Sequence, residues 1–315
     1  MVQSSPFPAA PRIAWIGVGA AGGYYAARLA RAGADLHLLL RSDYDVVRRN
    51  GLRIRSHTGD FSVAAESLNV YETAAAMPVA DLVIVTVKTT ANAHLPELIR
   101  PLLHDGTLVL TLQNGLGNED LLADIVGADR VLGGVMFTCI TRPEPGVIHH
   151  QAQGQIRIGE FGRPPMERTH AICRMLGAAG IECDVGESLD QVRWAKQLWN
   201  VPFNGLGAAF DLPTDALIYS KFGRELLRGV MGEVREIAEA AGVHLPVGLI
   251  ERQIELTGPM GSYRTSMHLD RLAGRQMEVE AIIGRPIALA RRYKLHCQHL
   301  PVIYSILNSF RYLMK

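Results

Sequence analysis

Apolar residues in the first 115 positions fall into short unbroken runs separated by segments of helix length. The runs are RIAWIGVG (12–19), ADLHLLLR (34–41), ADLVIVTVK (80–88) and GTLVLTLQNG (106–115). A run that is apolar at nearly every position has no face to give to water, so each reads as a strand buried on both sides. Between them, AAGGYYAARLARAG and AHLPELIRPLL have helical length and patterning. Strands alternating with helices imply a parallel sheet covered on both faces. From Ser188 onward the pattern changes: DQVRWAKQLWN, ELLRGVMGEVREIAEAAG and MEVEAIIGRPIALARRYK repeat their apolar positions at helical spacing, and strand-like runs become few. The expected fold is α/β, with a doubly wound parallel sheet over 12–186, an all-helical domain over 187–315, and a boundary near Gly186.

Gly17, Val18, Gly19, Ala20, Ala21 and Gly22 form a G-x-G-x-x-G run between the first strand and the first helix, the context that gives this pattern meaning. Gly17 permits the tight turn, Gly19 lets the backbone approach a pyrophosphate, and Gly22 lets the helix close on the strand. The helix N-terminus adds free N–H groups and positive dipole. The sheet domain is therefore expected to be a Rossmann-type dinucleotide-binding domain, the plain alternative being a tight turn that binds nothing. At the end of the second strand, where an NAD-binding domain usually presents a carboxylate to the ribose, stands Arg41. A guanidinium can pair with an adenosine 2′-phosphate and cannot accept hydrogen bonds from a ribose diol, so the expected cofactor is NADPH/NADP. A solvated arginine followed by Asp43 and Asp45 is the alternative.

Composition narrows the remaining classes. The 32 Lys and Arg nearly cancel the 31 Asp and Glu, so no summed field points to nucleic acid or an anionic membrane. Four scattered cysteines, Cys139, Cys173, Cys183 and Cys297, form no C-x-x-C pair and no disulfide framework. The leader MVQSSPFPAAP has no basic region followed by an apolar run, and no segment is long and apolar enough for a membrane span, so the expected location is cytoplasmic. His296-Cys297-Gln298-His299 has metal-capable side chains but no further ligands at standard spacing, and is expected to be a plain connection with no metal. His149-His150 reads as a loop or strand-edge pair.

Further motifs occur in order along nearly the whole chain. Val87-Lys88-Thr89 follows the third apolar strand and Gln113-Asn114-Gly115-Leu116-Gly117 the fourth; Gly133-Gly134-Val135 and Pro145-Gly146-Val147-Ile148-His149 come next. Trp194-Ala195-Lys196 with Asn200 and Asn204, then Thr265-Ser266-Met267, Asp270 and Gly274-Arg275-Gln276-Met277-Glu278 complete the set. Together with the glycine loop and Arg41, they resemble the ketopantoate reductases, the 2-dehydropantoate 2-reductase family. The resemblance implies reduction of ketopantoate, or a similar branched 2-keto acid, to the 2-hydroxy acid by hydride from NADPH, a step of pantothenate biosynthesis. It implies Lys196 as general acid, Asn200, Asn204, Ser266 and Glu278 around the substrate, and Lys88 and Asn114 near the cofactor's ribose and nicotinamide. The chain departs from the family's usual residues at Met277, Val279, Glu280 and Thr265.

Elementary chemistry is compatible with these roles. Hydride arriving at a keto carbon leaves negative charge on the oxygen, which calls for a cation or acid within hydrogen-bond reach. Positions 196, 200 and 204 share one helix face, and amides or a hydroxyl can donate to keto or carboxylate oxygens. Each residue also has a bland alternative: a solvated lysine, helix-end asparagines, an N-capping serine, a glutamate on a solvated face, and a left-handed turn residue at Asn114. Pro202, inside this helix, removes a backbone donor and crowds the carbonyl four residues earlier; a kink there would disturb the shared face, and whether it displaces Asn204 is open at this point. Other functional classes compatible with the sequence are a dehydrogenase of a different 2-hydroxy acid or of an imine, and a non-catalytic NADPH sensor. The long apolar C-terminal helices are compatible with a homodimer.

Overall fold

A computed structural model describes residues 7–313; the first six residues of the leader lie outside them. Ten strands, β1 (Ile13–Ile16), β2 (Leu36–Leu39), β3 (Leu52–Ser56), β4 (Phe61–Val63), β5 (Asn69–Tyr71), β6 (Leu82–Val85), β7 (Leu108–Thr111), β8 (Val131–Glu144), β9 (Val147–Glu160) and β10 (Cys183–Val185), form one sheet. Its order is β4-β3-β9-β8-β7-β6-β1-β2-β5, with β10 paired to β9. From β5 across to β8 every pairing is parallel. The remainder is mixed, because β8–β9 and β3–β4 are antiparallel.

Every residue of β1, β2, β6 and β7 is buried. Alternate side chains enter two different cores: Ile13, Trp15, Leu38, Leu82 and Ile84 join one, while Ala14, Ile16, Leu39, Val83 and Val85 join the other. The first core takes up α1 (Ala20–Arg31) and α5 (Glu167–Ala178); the second takes up α3 (Leu95–Ile99) and α4 (Asn118–Val126), whereas α2 (Tyr44–Asn50) contributes Val47 to the first. Strands of continuous apolar sequence are thus fixed by helices on both faces.

The hairpin β8–β9 was not foreseen in the sequence. It turns at Pro145-Gly146, where glycine takes φ 73°, and its register shifts at three places. These shifts break the two-residue alternation by which such strands are recognised. The expectation for His150 is corrected here. It lies inside the sheet at 1% exposure, with Nδ1 bonded to Ser56 Oγ at 2.9 Å and Nε2 to the Gln153 carbonyl at 2.7 Å, because β9 is flanked by β8 and β3. Burial holds its pKa below the ordinary histidine value.

The chain divides into two compact units. The first is 1–113 with 118–189; the second is 190–315 with the short segment 114–117. In the second, helices α6 (Leu189–Phe210), α7 (Thr214–Tyr219), α8 (Lys221–Ala240), α9 (Leu249–Thr257), α10 (Ser266–Leu272), α11 (Arg285–Arg292) and α12 (Leu300–Leu313) surround a separate core that includes Leu198, Phe203, Val230, Ile282 and Leu307. α6 runs unbroken through Pro202, so the proline does not end it. The segment beginning at Met277 is less regular than its apolar spacing suggests, because α11 is preceded by a π turn at Glu280–Gly284. Among the described residues, no helix is long and apolar enough to cross a membrane.

The His296–His299 stretch is tied down by a carboxylate. Glu233 of α8, 8% exposed, accepts hydrogen bonds from the backbone N–H groups of Gln298, His299 and Leu300 at 2.7, 2.8 and 3.0 Å, and pairs with His299 Nδ1 at 2.7 Å. It therefore caps α12 from a neighbouring helix, with negative charge at the positive end of the dipole. Burial first, then Glu233 and Glu236, push the Cys297 thiol up to about 11, so it stays protonated at neutral pH. Glu233→Ala is expected to lower the unfolding free energy by about 2–4 kcal/mol by stranding these donors. Urea denaturation at neutral pH checks this, and an unchanged midpoint would refute the anchoring role.

Candidate active site

The glycine loop follows the C-terminal end of β1, and its three glycines meet different surroundings. A Cβ on Gly17, at φ 102°, would stand 2.3 Å from the Val87 nitrogen; one on Gly22 would stand 2.2 Å from the Gly17 carbonyl oxygen and 2.5 Å from Thr86 Oγ1. Both positions exclude any side chain. A Cβ on Gly19 would meet nothing within 4 Å, so the absence of a side chain there leaves open space at the N-terminus of α1. That is the surrounding a phosphate needs in order to approach backbone N–H groups. Val18, Ala20 and Ala21 complete the loop and the first turn of the helix. The loop is fastened from below: Trp15 Nε1 donates to Thr86 Oγ1 at 2.7 Å, and that hydroxyl donates to the Gly17 carbonyl at 2.7 Å. Neither Trp15 nor Thr86 stood out in the sequence, because both look like ordinary strand residues.

Arg41 lies two residues beyond β2 and is exposed. Asp43 does not compete for it. That carboxylate is buried and accepts from Arg142 Nη1 at 2.6 Å and from the Gly146 N–H at 3.3 Å. Lys88 is exposed three residues beyond β6, and Asn114 follows β7 by three residues. The positive-φ positions of the Asn114 turn are Gly115 and Gly117, at 87° and 84°, so Asn114 is not the left-handed residue.

A buried amide knits these two strand ends together. Gln113 Nε2 donates to the Val87 carbonyl at 2.9 Å and to Asn92 Oδ1 at 2.8 Å; Asn92 Nδ2 then donates to Asn118 Oδ1 at 3.0 Å. The residues before Lys88 and before Asn114 are thereby joined. Gln113 lies inside a motif quoted above, yet nothing in sequence distinguished it from its neighbour.

In the second unit, α6 carries Lys196, Asn200 and Asn204 at successive turns. The Lys196 ammonium lies 5.0 Å from the centre of the Trp199 ring, a cation–π contact; that indole is itself held by its Nε1 donating to Thr257 Oγ1 at 2.8 Å. Asn200 and Asn204 are 3% and 2% exposed, so neither is a helix-end cap. Asn204 Nδ2 donates to Asn200 Oδ1 at 3.4 Å. Asn204 Oδ1 accepts from Ser266 Oγ at 3.4 Å and from the Met267 N–H at 3.2 Å. With Pro202 inside the helix, Asn204 stays in hydrogen-bond contact with Asn200 and Ser266. Ser266 opens α10 and the N-cap position is Thr265. Glu278 is buried, in contrast to the exposed Glu280, and the solvated-face alternative for it fails. The structure thus brings Asn200, Asn204 and Ser266 into direct contact in the second unit. The glycine loop, Arg41 and Lys88 belong to the first unit, and Asn114 to the 114–117 segment of the second.

One amide in this cluster is unsatisfied. Asn200 Nδ2 is buried and has no hydrogen-bond partner among the described residues. An orphaned buried donor costs about 1–3 kcal/mol, and this one lies in the same cluster as the polar side chains of Asn204 and Ser266.

The sequence profile described as Ketopantoate reductase PanE/ApbA matches residues 13–163, and the profile for that family's C-terminal part matches 188–311. The chain belongs to the ketopantoate reductase family. It is 38% identical over 302 residues to a 2-dehydropantoate 2-reductase of a Nostoc species, covering 94% of each chain. It is 33% identical to the 2-dehydropantoate 2-reductase of Halobacterium salinarum, over 84% of this chain and 86% of that one. The crystal structure of the 2-dehydropantoate 2-reductase from Geobacter metallireducens superposes with a TM-score of 0.92 at 41% identity, over 95% of this chain and 99% of that one.

The glycine geometry separates stability from binding. Gly17→Ala and Gly22→Ala are expected to cost about 2 kcal/mol or more of stability, from backbone strain and overlap. Gly19→Ala is expected to fold with stability within about 0.5 kcal/mol of the parent while weakening dinucleotide affinity about tenfold or more. Thermal melts with a fluorescence titration of NADPH check both; a Gly19→Ala variant that bound normally would refute the assignment of the open space.

Proposed function

We propose that the protein reduces 2-dehydropantoate to pantoate with NADPH, as a cytoplasmic oxidoreductase of pantothenate biosynthesis. The observation that carries this reading is the unpaired Asn200 amide, beside Asn204 and Ser266 and one helical turn from Lys196. A keto acid offers what that cluster lacks, namely acceptor oxygens. Family membership and the named relatives support the same substrate.

The residues fit a bound NADPH. The open backbone at Gly19 suits the pyrophosphate and the exposed Arg41 suits the 2′-phosphate, with Lys88 and Asn114 near the ribose and nicotinamide. When bound, NADPH supplies the hydride that adds to the keto carbon. Lys196 gives its proton to the keto oxygen as charge develops there, converting an alkoxide into the product hydroxyl. Contact with the Trp199 ring narrows the positions its ammonium can take. Asn200 donates to a substrate oxygen through its unpaired amide and Asn204 through the second N–H of its own; the Ser266 hydroxyl, which donates to Asn204 Oδ1, holds Asn204 in place and can donate to substrate by turning away from it. Glu278 accepts from the substrate hydroxyl or steadies the lysine. Tyr219 and Phe222, 73% and 77% exposed on the second unit, support a homodimer.

Purified protein is expected to oxidise NADPH with 2-dehydropantoate; no turnover on that substrate or on any of a panel of 2-keto acids would overturn the reading. Lys196→Ala is expected to lower kcat by about 10² or more with NADPH affinity nearly intact. An undiminished rate would remove Lys196 from the chemistry. Arg41→Ala is expected to cut the preference for NADPH over NADH about tenfold or more, measured as the ratio of kcat/KM values, and an unchanged ratio would show that another residue reads the 2′-phosphate.

A further inference from the structure

Between Glu278 and α11 the helix is irregular for an identifiable reason. Pro286, near the start of α11, has no N–H. In an α register that missing donor would have bonded the Ile282 carbonyl, and in a π register the Ala281 carbonyl. The backbone here takes the π form, with the Arg285 N–H reaching the Glu280 carbonyl. Both of the carbonyls that Pro286 cannot serve are taken from elsewhere in the second unit. The Leu116 N–H donates to the Ala281 carbonyl at 3.0 Å, and Gln197 Nε2 donates to the Ile282 carbonyl at 3.2 Å.

Each of these outside donors adjoins a residue of the candidate site. Leu116 is two residues from Asn114. Gln197, 1% exposed, is the neighbour of Lys196 on α6, and Glu278 precedes the π turn by two residues. The fit on the Leu116 side is close, since a Cβ on Gly115 would stand 2.5 Å from the Ala281 carbonyl oxygen. Gln197 makes its bond at a cost, because its own Oε1 is buried with no partner among the described residues. Such a side chain is poorly explained by stability alone.

We propose that the π turn opened by Pro286 is a positioning device and that Gln197 is its positioning residue. It holds the Lys196 helix and the Asn114 segment to the turn that follows Glu278, and so sets the distances among these three side chains. The proposal rests on the reading of those three residues given above. It adds Gln197 and Pro286 to the machinery without placing either against substrate.

The test separates positioning from stability. Gln197→Leu removes the donor to the Ile282 carbonyl and is expected to lower Tm by about 3–6 °C and kcat about tenfold, with the KM for NADPH within threefold. Pro286→Ala supplies an N–H inside the helix, so the turn can revert to α and release both outside donors. It is expected to leave Tm unchanged or raised while kcat again falls about tenfold. In the double variant Tm recovers and kcat does not. In hydrogen exchange, the Leu116 amide is expected to be protected in the parent and to exchange at least tenfold faster in Pro286→Ala. If the parent reduces 2-dehydropantoate and both single variants keep kcat within twofold, the positioning role is overturned and the proposed function stands. If the parent has no turnover, that function fails, and the exchange measurement alone decides the device: an unprotected Leu116 amide, or one unmoved by Pro286→Ala, overturns it.

Discussion

Four adjacent parallel strands with every residue buried have almost no freedom of register. β2, β1, β6 and β7 each place alternate side chains into two different cores, so a slip of one residue would move each core's residues into the other. Their carboxyl ends are consequently held in line, and the glycine loop, Arg41, Lys88 and Asn114 all lie just beyond those ends. The tightness extends into the connections. The Gly17 backbone presses on Val87, the Thr86 hydroxyl bridges Trp15 to the Gly17 carbonyl, and Gln113 bonds the Val87 carbonyl. A binding edge assembled from loops acquires the stiffness of the sheet because its polar groups are tied to strand ends one residue away.

The helical unit solves the same problem by other means. Its helices are joined by buried polar side chains that reach backbone groups on a neighbour: Glu233 to the start of α12, Asn204 to the start of α10, and Gln197 to the π turn before α11. Each contact falls at a helix end or irregularity, where main-chain groups lack partners within their own helix. Polar residues in this core therefore specify which helix ends meet, while Leu198, Phe203, Val230 and Leu307 supply the apolar burial.

Legibility in the sequence followed from how local each determinant is. The short buried strands, the glycine turn and the long helices are each specified within about ten consecutive residues, so pattern alone exposed them. The hairpin β8–β9 escaped because three register shifts interrupt its alternation, and His150 was misjudged because its burial depends on β3, almost 100 positions away. The effect of Pro202 could not be read locally: the rule for proline inside a helix leaves the fate of Asn204 open, and it is the contacts with Asn200 and Ser266 that decide it. The spacing of Lys196, Asn200 and Asn204 on one face was legible, whereas their chemistry came from resemblance to a family. No spacing rule could have found Gln113 or Gln197, since each acts on a carbonyl distant in the chain.

The distribution of unsatisfied polar atoms separates the two units. In the first, the atoms without partners among the described residues are the Tyr25 hydroxyl and Thr138 Oγ1, and burial pushes the Tyr25 pKa up. In the second, the atoms buried without partners among the described residues are Gln197 Oε1 and Asn200 Nδ2 on α6, Thr265 Oγ1 and His268 Nδ1 at the start of α10, and Arg224 Nε on α8. Selection for stability alone would remove such atoms, because replacing them with apolar groups of similar shape is nearly neutral or favourable. Four of these five atoms lie on, or at the start of, the two elements that carry Asn204 and Ser266, so the polar cost of this unit gathers around the cluster those side chains form, and the apolar remainder of the helical core offsets it.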